Sequence, residues 1–108
     1  MAKILVSPDI KQKFDKAHAA LSDDRKKKAF ATNLVKEGMS KLEGIDPPGK
    51  PVRTVPRANG NKAIAYDDAG LKTALRNFKV DKQYSNITTA ARACLYSSLN
   101  IDARDWQS

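Results

Sequence analysis

One pattern in this chain occurs twice, and it limits the fold more than any other feature. Lys26 to Leu42 reads KKKAFATNLVKEGMSKL, and Asn86 to Leu99, NITTAARACLYSSL, returns to the same pattern 60 residues later. At that offset Phe30, Ala31, Asn33, Leu34, Val35 and Met39 fall on Ala90, Ala91, Ala93, Cys94, Leu95 and Leu99, pairs that are mostly apolar or small. In both copies the apolar positions recur at three- and four-residue steps, as on one face of a helix, so each copy reads as a short amphipathic helix. The segments further upstream correspond too. KILVS (Lys3–Ser7) precedes AIAYD (Ala63–Asp67) by the same 60 residues, which sets Ile4 on Ile64 and Val6 on Tyr66. Between strand and helix, Ile10, Phe14 and Ala17 match Leu71, Leu75 and Phe78 at an offset of 61. The repeated unit is strand, helix, helix. A single unit of this size does not bury its own apolar face, so the two must pack on each other.

The 108 residues have room for one domain, and with 41% hydrophobic residues but only 6% aromatic ones the core must be built from aliphatics and alanines. A single cysteine, Cys94, rules out an internal disulfide and a cysteine-based zinc cluster. No apolar run is long enough for a signal peptide or a membrane span, so the expectation is a soluble cytoplasmic protein with no membrane partner. The formal charge of +8 favours polyanionic partners without saying which. Residues 1–44 carry ten Lys and Arg against six acids, residues 45–61 three against one, and residues 62–108 seven against five. The excess lies in the first half and the linker.

In the first unit (residues 1–44) the aliphatic run AKILVS is a strand that Pro8 closes, since proline cannot donate to a ladder beyond it. With Ile4 and Val6 inward, Lys3, Leu5 and Ser7 face outward. So short a strand needs a partner, from the second half or from another chain. Pro8 then suits a helix start, and Ile10, Phe14, Ala17 and Leu21 predict a helix from Asp9 to Leu21. His18, the only histidine, lies beside that stripe and reads as a partly exposed surface residue. Ser22, Asp23 and Asp24 are capping residues for the next helix, expected to end near Leu42 with Gly44 beyond it. Arg25, Lys26, Lys27 and Lys28 would fall in its first turn, where the macrodipole already disfavours cations. Such a run either forms a phosphate site with the free N–H groups of the helix start, or is a solvated charge run partly neutralised by Asp23 and Asp24.

From Glu43 to Asn61 the chain reads EGIDPPGKPVRTVPRANGN, a Pro- and Gly-rich stretch whose core, residues 45–61, is a linker. Its length, roughly 60 Å when extended, lets strand two return beside strand one. Lys50, Arg53 and Arg57 either lie along a phosphate backbone or keep the linker soluble. In the second unit (residues 62–108) the strand's facing is open: Ile64 and Tyr66 inward as the repeat suggests, or Ala63 and Ala65 inward with Lys62, Ile64 and Tyr66 out. Leu71, Leu75 and Phe78 mark a helix, and Ser85 and Asn86 cap the one that follows. Trp106, the only tryptophan, either folds back onto the core or serves a protein partner.

Catalysis needs a constellation of groups, and none is legible. There is no histidine beside a nucleophile, no Gly-rich phosphate loop with its lysine and no metal-ligand spacing, so neither an enzyme nor a cofactor is expected. Asp23–Asp24 and Asp67–Asp68 read as caps, and Cys94 as a buried, inert thiol.

KILVSP followed by IKQKFDKAHAAL and KKAFATNLVKEGMSKL, and again AIAYD followed by LKTALRNF and ITTAARACLYSSL, resembles the ribbon-helix-helix DNA-binding family. The resemblance covers most of the chain outside the linker and the tail. It implies a mainly α fold with a short two-stranded antiparallel ribbon, here a tandem pseudo-dimer within one chain, although a homodimer of whole chains stays open. It further implies double-stranded DNA as partner, and a role as transcriptional repressor or as plasmid or conjugation accessory factor. The ribbon would enter the major groove, whose width admits one. By that resemblance Lys3, Leu5 and Ser7 read base edges, with Ala63 and Ala65 or else Lys62 and Tyr66 opposite them. Arg25, Lys26, Lys27, Lys28, Lys50, Arg53, Arg57, Ser85, Asn86 and Thr88 hold phosphate. Two departures stand out: Leu5 and the alanines offer no hydrogen bonds, and Asp67 repels phosphate. The competing expectation is a small basic phage or plasmid protein that binds and inhibits an acidic protein partner.

Overall fold

In the computed structural model of this protein, residues 2–45, 62–67, 70–102 and 106 are described. The chain runs β1 (Ala2–Val6), α1 (Pro8–Ala19), α2 (Asp24–Lys28), α3 (Phe30–Leu42), β2 (Lys62–Tyr66), α4 (Lys72–Lys82) and α5 (Ile87–Ser98). The order is one strand and three helices, then one strand and two helices.

β1 and β2 form a two-stranded antiparallel sheet. Its register pairs Ala2 with Tyr66, Lys3 with Ala65, Ile4 with Ile64, Leu5 with Ala63 and Val6 with Lys62. Ile4 and Ile64, the middle pair, are separated by the 60 residues of the sequence repeat, and the same shift carries each remaining pair onto another pair of the ladder. Ile4, Val6, Ile64 and Tyr66 are buried while Lys3, Leu5, Ala63 and Ala65 are exposed. The first of the two facings left open for β2 is therefore the one adopted. Large side chains win the inner face because they remove more apolar area from water than the alanines could.

α1 starts where Pro8 predicts, with the Ser7 hydroxyl 3.5 Å from the Ile10 N–H it caps. Phe14 packs on Phe30 with ring centroids 5.2 Å apart, and His18 stacks beside both. The His18 Nε2 also lies 3.2 Å from the Lys27 carbonyl oxygen, so this histidine ties α1 to α2 and is half-buried.

The expected single helix from the basic run to Leu42 is instead two. Asp23 caps α2, its carboxylate accepting the Arg25 N–H at 2.8 Å, and the chain leaves the helix at Ala29 (φ −97°, ψ 6°) before α3 begins. Packing of the next residue favours the break. Phe30 must turn toward Phe14 and His18, its ring 5.2 Å from Phe14 and 5.8 Å from His18.

α3 and α5 make the main helix contact, and it is close. A Cβ built on Gly38 would lie 1.8 Å from the Cys94 carbonyl oxygen, so only glycine permits this approach. α3 packs against β2 and α5 against β1, so each of these helices covers the strand of the other half. α5 departs from the expected amphipathic pattern. Thr89, Ala90, Ala91, Arg92, Ala93, Cys94, Leu95, Tyr96 and Ser98 are all buried, which makes it the central helix of the core. Trp106 folds back onto it, 3% exposed, with its indole edge on Tyr96 and its Nε1–H donated to the Ile101 carbonyl at 3.0 Å. The indole is thus committed to the core and is not presented to a partner.

Candidate nucleic-acid interface

The solvent face of the ribbon consists of two cross-strand pairs, Lys3 with Ala65 and Leu5 with Ala63. Leu5 is 51% exposed. Of the residues expected to read bases, Lys3 and Leu5 are on this face. Tyr66 is not: it is 3% exposed, and its position two residues from Ile64 turns its ring into the core. Lys62 shares that inward parity at the strand's end, opposite Val6, and stays exposed there as a flanking cation. Ser7 is half-buried and engaged as the α1 cap, which takes its hydroxyl away from a groove.

The residues expected to hold phosphate fall into three groups. Arg25, Lys26 and Lys28 are exposed and Lys27 is half-buried, all on α2. They occupy the last turn of that five-residue helix, not the first turn of a longer one. The run makes up four of the five residues of α2, and Ala29 just beyond it is the N-cap of α3, which has no side-chain cap bond, so the cations stand beside the start of α3. α2 leads directly into α3, whose Thr32 hydroxyl accepts the Asp67 N–H at 3.0 Å just past β2. This bond joins the start of α3 to one end of the ribbon, a link that nothing in the spacing of Thr32 announces.

At the start of α5, Ser85 and Thr88 are exposed, and Asn86 caps the helix by accepting the Thr89 N–H at 2.8 Å. The Asn86 side chain already satisfies a donor that a phosphate would otherwise take. Lys50, Arg53 and Arg57 lie outside the described residues.

Two open grooves flank α1, and the sequence gives no signal for either. One, about 600 Å³, has Ala17, Phe30, Leu34 and Leu99 along it and Lys13 and Lys16 at its rim. The other, about 550 Å³, shares those two lysines and reaches Ile10 and Ile101.

Among the described residues no cluster of His, Cys, Asp and Glu could hold a metal ion, and no helix is long and apolar enough to cross a membrane. Burial pushes the Cys94 thiol up to about 12, so the nucleophilic thiolate is not formed near neutrality. Comparison with known proteins finds no matching family model, no matching curated protein and no matching solved structure.

Proposed function

We propose that this chain is a tandem ribbon-helix-helix protein that binds double-stranded DNA, acting as a repressor or as a plasmid or conjugation accessory factor. One observation carries the reading: the ribbon register is centred on Ile4 and Ile64, the residues that the 60-residue repeat makes equivalent. A ladder with that property is what two strand-helix-helix units related by an approximate two-fold axis would build. The cross-packing of α3 on β2 and α5 on β1 agrees with it. The ribbon would lie in the major groove by its outer face, with the α2 cations and the start of α5 toward the backbones.

The test is a variant carrying Lys26→Gln, Lys27→Gln and Lys28→Gln. If these lysines neutralise phosphates, the slope of log affinity against log salt should become shallower by about 0.9 for each phosphate no longer neutralised. An unchanged slope would remove α2 from the interface, and absence of duplex binding by the unsubstituted protein would end the DNA reading.

The groove along α1 favours a second reading. An apolar floor of Phe30, Leu34 and Leu99 under Lys13 and Lys16 suits an acidic amphipathic segment of a protein partner. In that case duplex retention is absent from the outset.

A further inference from the structure

The outer face of the ribbon carries little that could hydrogen-bond to a base. Among the described residues of the two strands, four side chains face outward: Leu5, Ala63 and Ala65 are apolar, and Lys3 is the one donor. Backbone donors and acceptors lie in the plane of the ribbon, either in the ladder or along its two edges, and do not project from this face, so recognition through the face has to come from those side chains. The major groove displays one apolar group, the C5-methyl of thymine, and alanine-sized and larger apolar side chains contact it there. Its guanine O6 and N7 acceptors suit a lysine.

The register also shows that the two ends of the face differ. Under the 60-residue correspondence Lys3 is equivalent to Ala63 and Leu5 to Ala65, so the repeat exchanges the Lys3–Ala65 pair with the Ala63–Leu5 pair. One end therefore presents a cation beside a methyl, and the other a leucine beside a methyl. A duplex that satisfies both cannot carry the same bases in its two halves.

Resting on the DNA-binding reading above, we propose that this face reads thymine methyl groups, chiefly through Leu5, and that it selects a non-palindromic site with a guanine beside Lys3 in one half and thymine beneath Leu5 in the other. Apolar contact replaces hydrogen bonding at most positions, and the asymmetry of the strands sets the orientation of the protein on DNA.

The experiment starts from duplexes selected out of a random pool by the whole chain. Each thymine of an enriched duplex is then replaced by deoxyuridine, which removes the methyl and leaves the base-pairing edge intact. Affinity is read by fluorescence anisotropy for the unsubstituted protein and for Leu5→Ala. An asymmetric enriched motif is expected, in which the critical deoxyuridine weakens the unsubstituted protein by about fourfold, the value of one buried methyl-sized group. For Leu5→Ala the same replacement should change affinity much less. Leu5 is exposed, so the variant should keep its fold, and circular dichroism checks that it does. Duplex binding with a palindromic motif, with no motif, or with indifference to every methyl would overturn the proposal and leave DNA binding standing. Absence of duplex binding even at low salt would overturn both.

Discussion

Tyr84 shows at the scale of one side chain what the core tolerates. It is 6% exposed, packs on Phe78, and its hydroxyl has no hydrogen-bond partner among the described residues. A buried hydroxyl without a partner loses its hydration for no return, so Tyr84→Phe should be neutral or should stabilise by about 1 kcal/mol, measured by chemical denaturation at neutral pH. Burial also pushes the Tyr84 phenol up to about 12, with the neighbouring Cys94 adding to it, and holds the Cys94 thiol near the same value. Both groups keep their protons in the folded state at pH values where the unfolded chain releases them. The unfolded state then binds fewer protons, and stability falls as pH rises from about 9 toward 12, by at most about 1.4 kcal/mol per pH unit for each group. Denaturation midpoints at pH 8 and pH 10.5 should show that loss, and Cys94→Ala should make it shallower. Gly38 is the position with least freedom. A methyl there would meet the Cys94 backbone at 1.8 Å, and backbone cannot swing aside as a side-chain tip can. Gly38→Ala should cost about 3 kcal/mol or more, lowering the melting temperature by roughly 10 °C or more, and a midpoint near that of the unsubstituted protein would contradict the close α3–α5 crossing.

Among the elements, the helix starts were readable where a side chain does the capping. Asp23 and Asn86 each stand before a helix and accept a backbone N–H from it, whereas at α1 the signal was Pro8 and the cap by Ser7, expected to face a groove, was not read. Asn86→Ala should lower stability by about 1 kcal/mol, because the Thr89 N–H then loses its partner at the start of the central helix. The interruption at Ala29 was not readable. Alanine is the best helix former, so local propensity argues against a break there, and the packing of Phe30 on Phe14 and His18 is a tertiary effect that spacing alone does not report. The facing of β2 stayed open for a related reason. In Lys62–Tyr66 both alternating sets contain apolar residues, so period two is satisfied either way, and the choice falls to size once the helices cover one side. The consequence reaches the candidate site, since Tyr66 belongs to the core and the outer face of the ribbon is poorer in polar groups for it. The break also changes how the four cations are presented: they make up most of a five-residue helix, with Arg25, Lys26 and Lys28 exposed and Lys27 half-buried. Lys26→Gln, Lys27→Gln and Lys28→Gln together should therefore leave the denaturation midpoint nearly unchanged, since these side chains pack little, while weakening any contact with a polyanion.

For the whole molecule, the two halves each begin with a strand of the ladder, and they differ in how their helices are used. α5 is buried on nearly all sides, whereas α3 keeps Asn33, Lys36 and Glu37 more open to solvent. The apolar spacing of the sequence pointed to a strand in each half, and these two strands pair. It could not reveal which half would supply the central helix, since that depends on Trp106 and Ile101 returning from the tail to close over α5. The candidate site was legible only in part: the strand pattern pointed to a two-stranded ribbon, which the fold has, while the Thr32 bond and the grooves beside α1 exist only once the chain is folded. The central claim is that a chain of this shape and a formal charge of +8 engages double-stranded DNA through the ribbon and the α2 cations. The most direct test is a fluorescence anisotropy titration of duplex DNA with the full chain across about 50 to 200 mM salt, the range in which phosphate contacts dominate the response. Saturable binding whose logarithmic affinity falls linearly and steeply with log salt is the predicted result, and no binding at the lowest salt would contradict it.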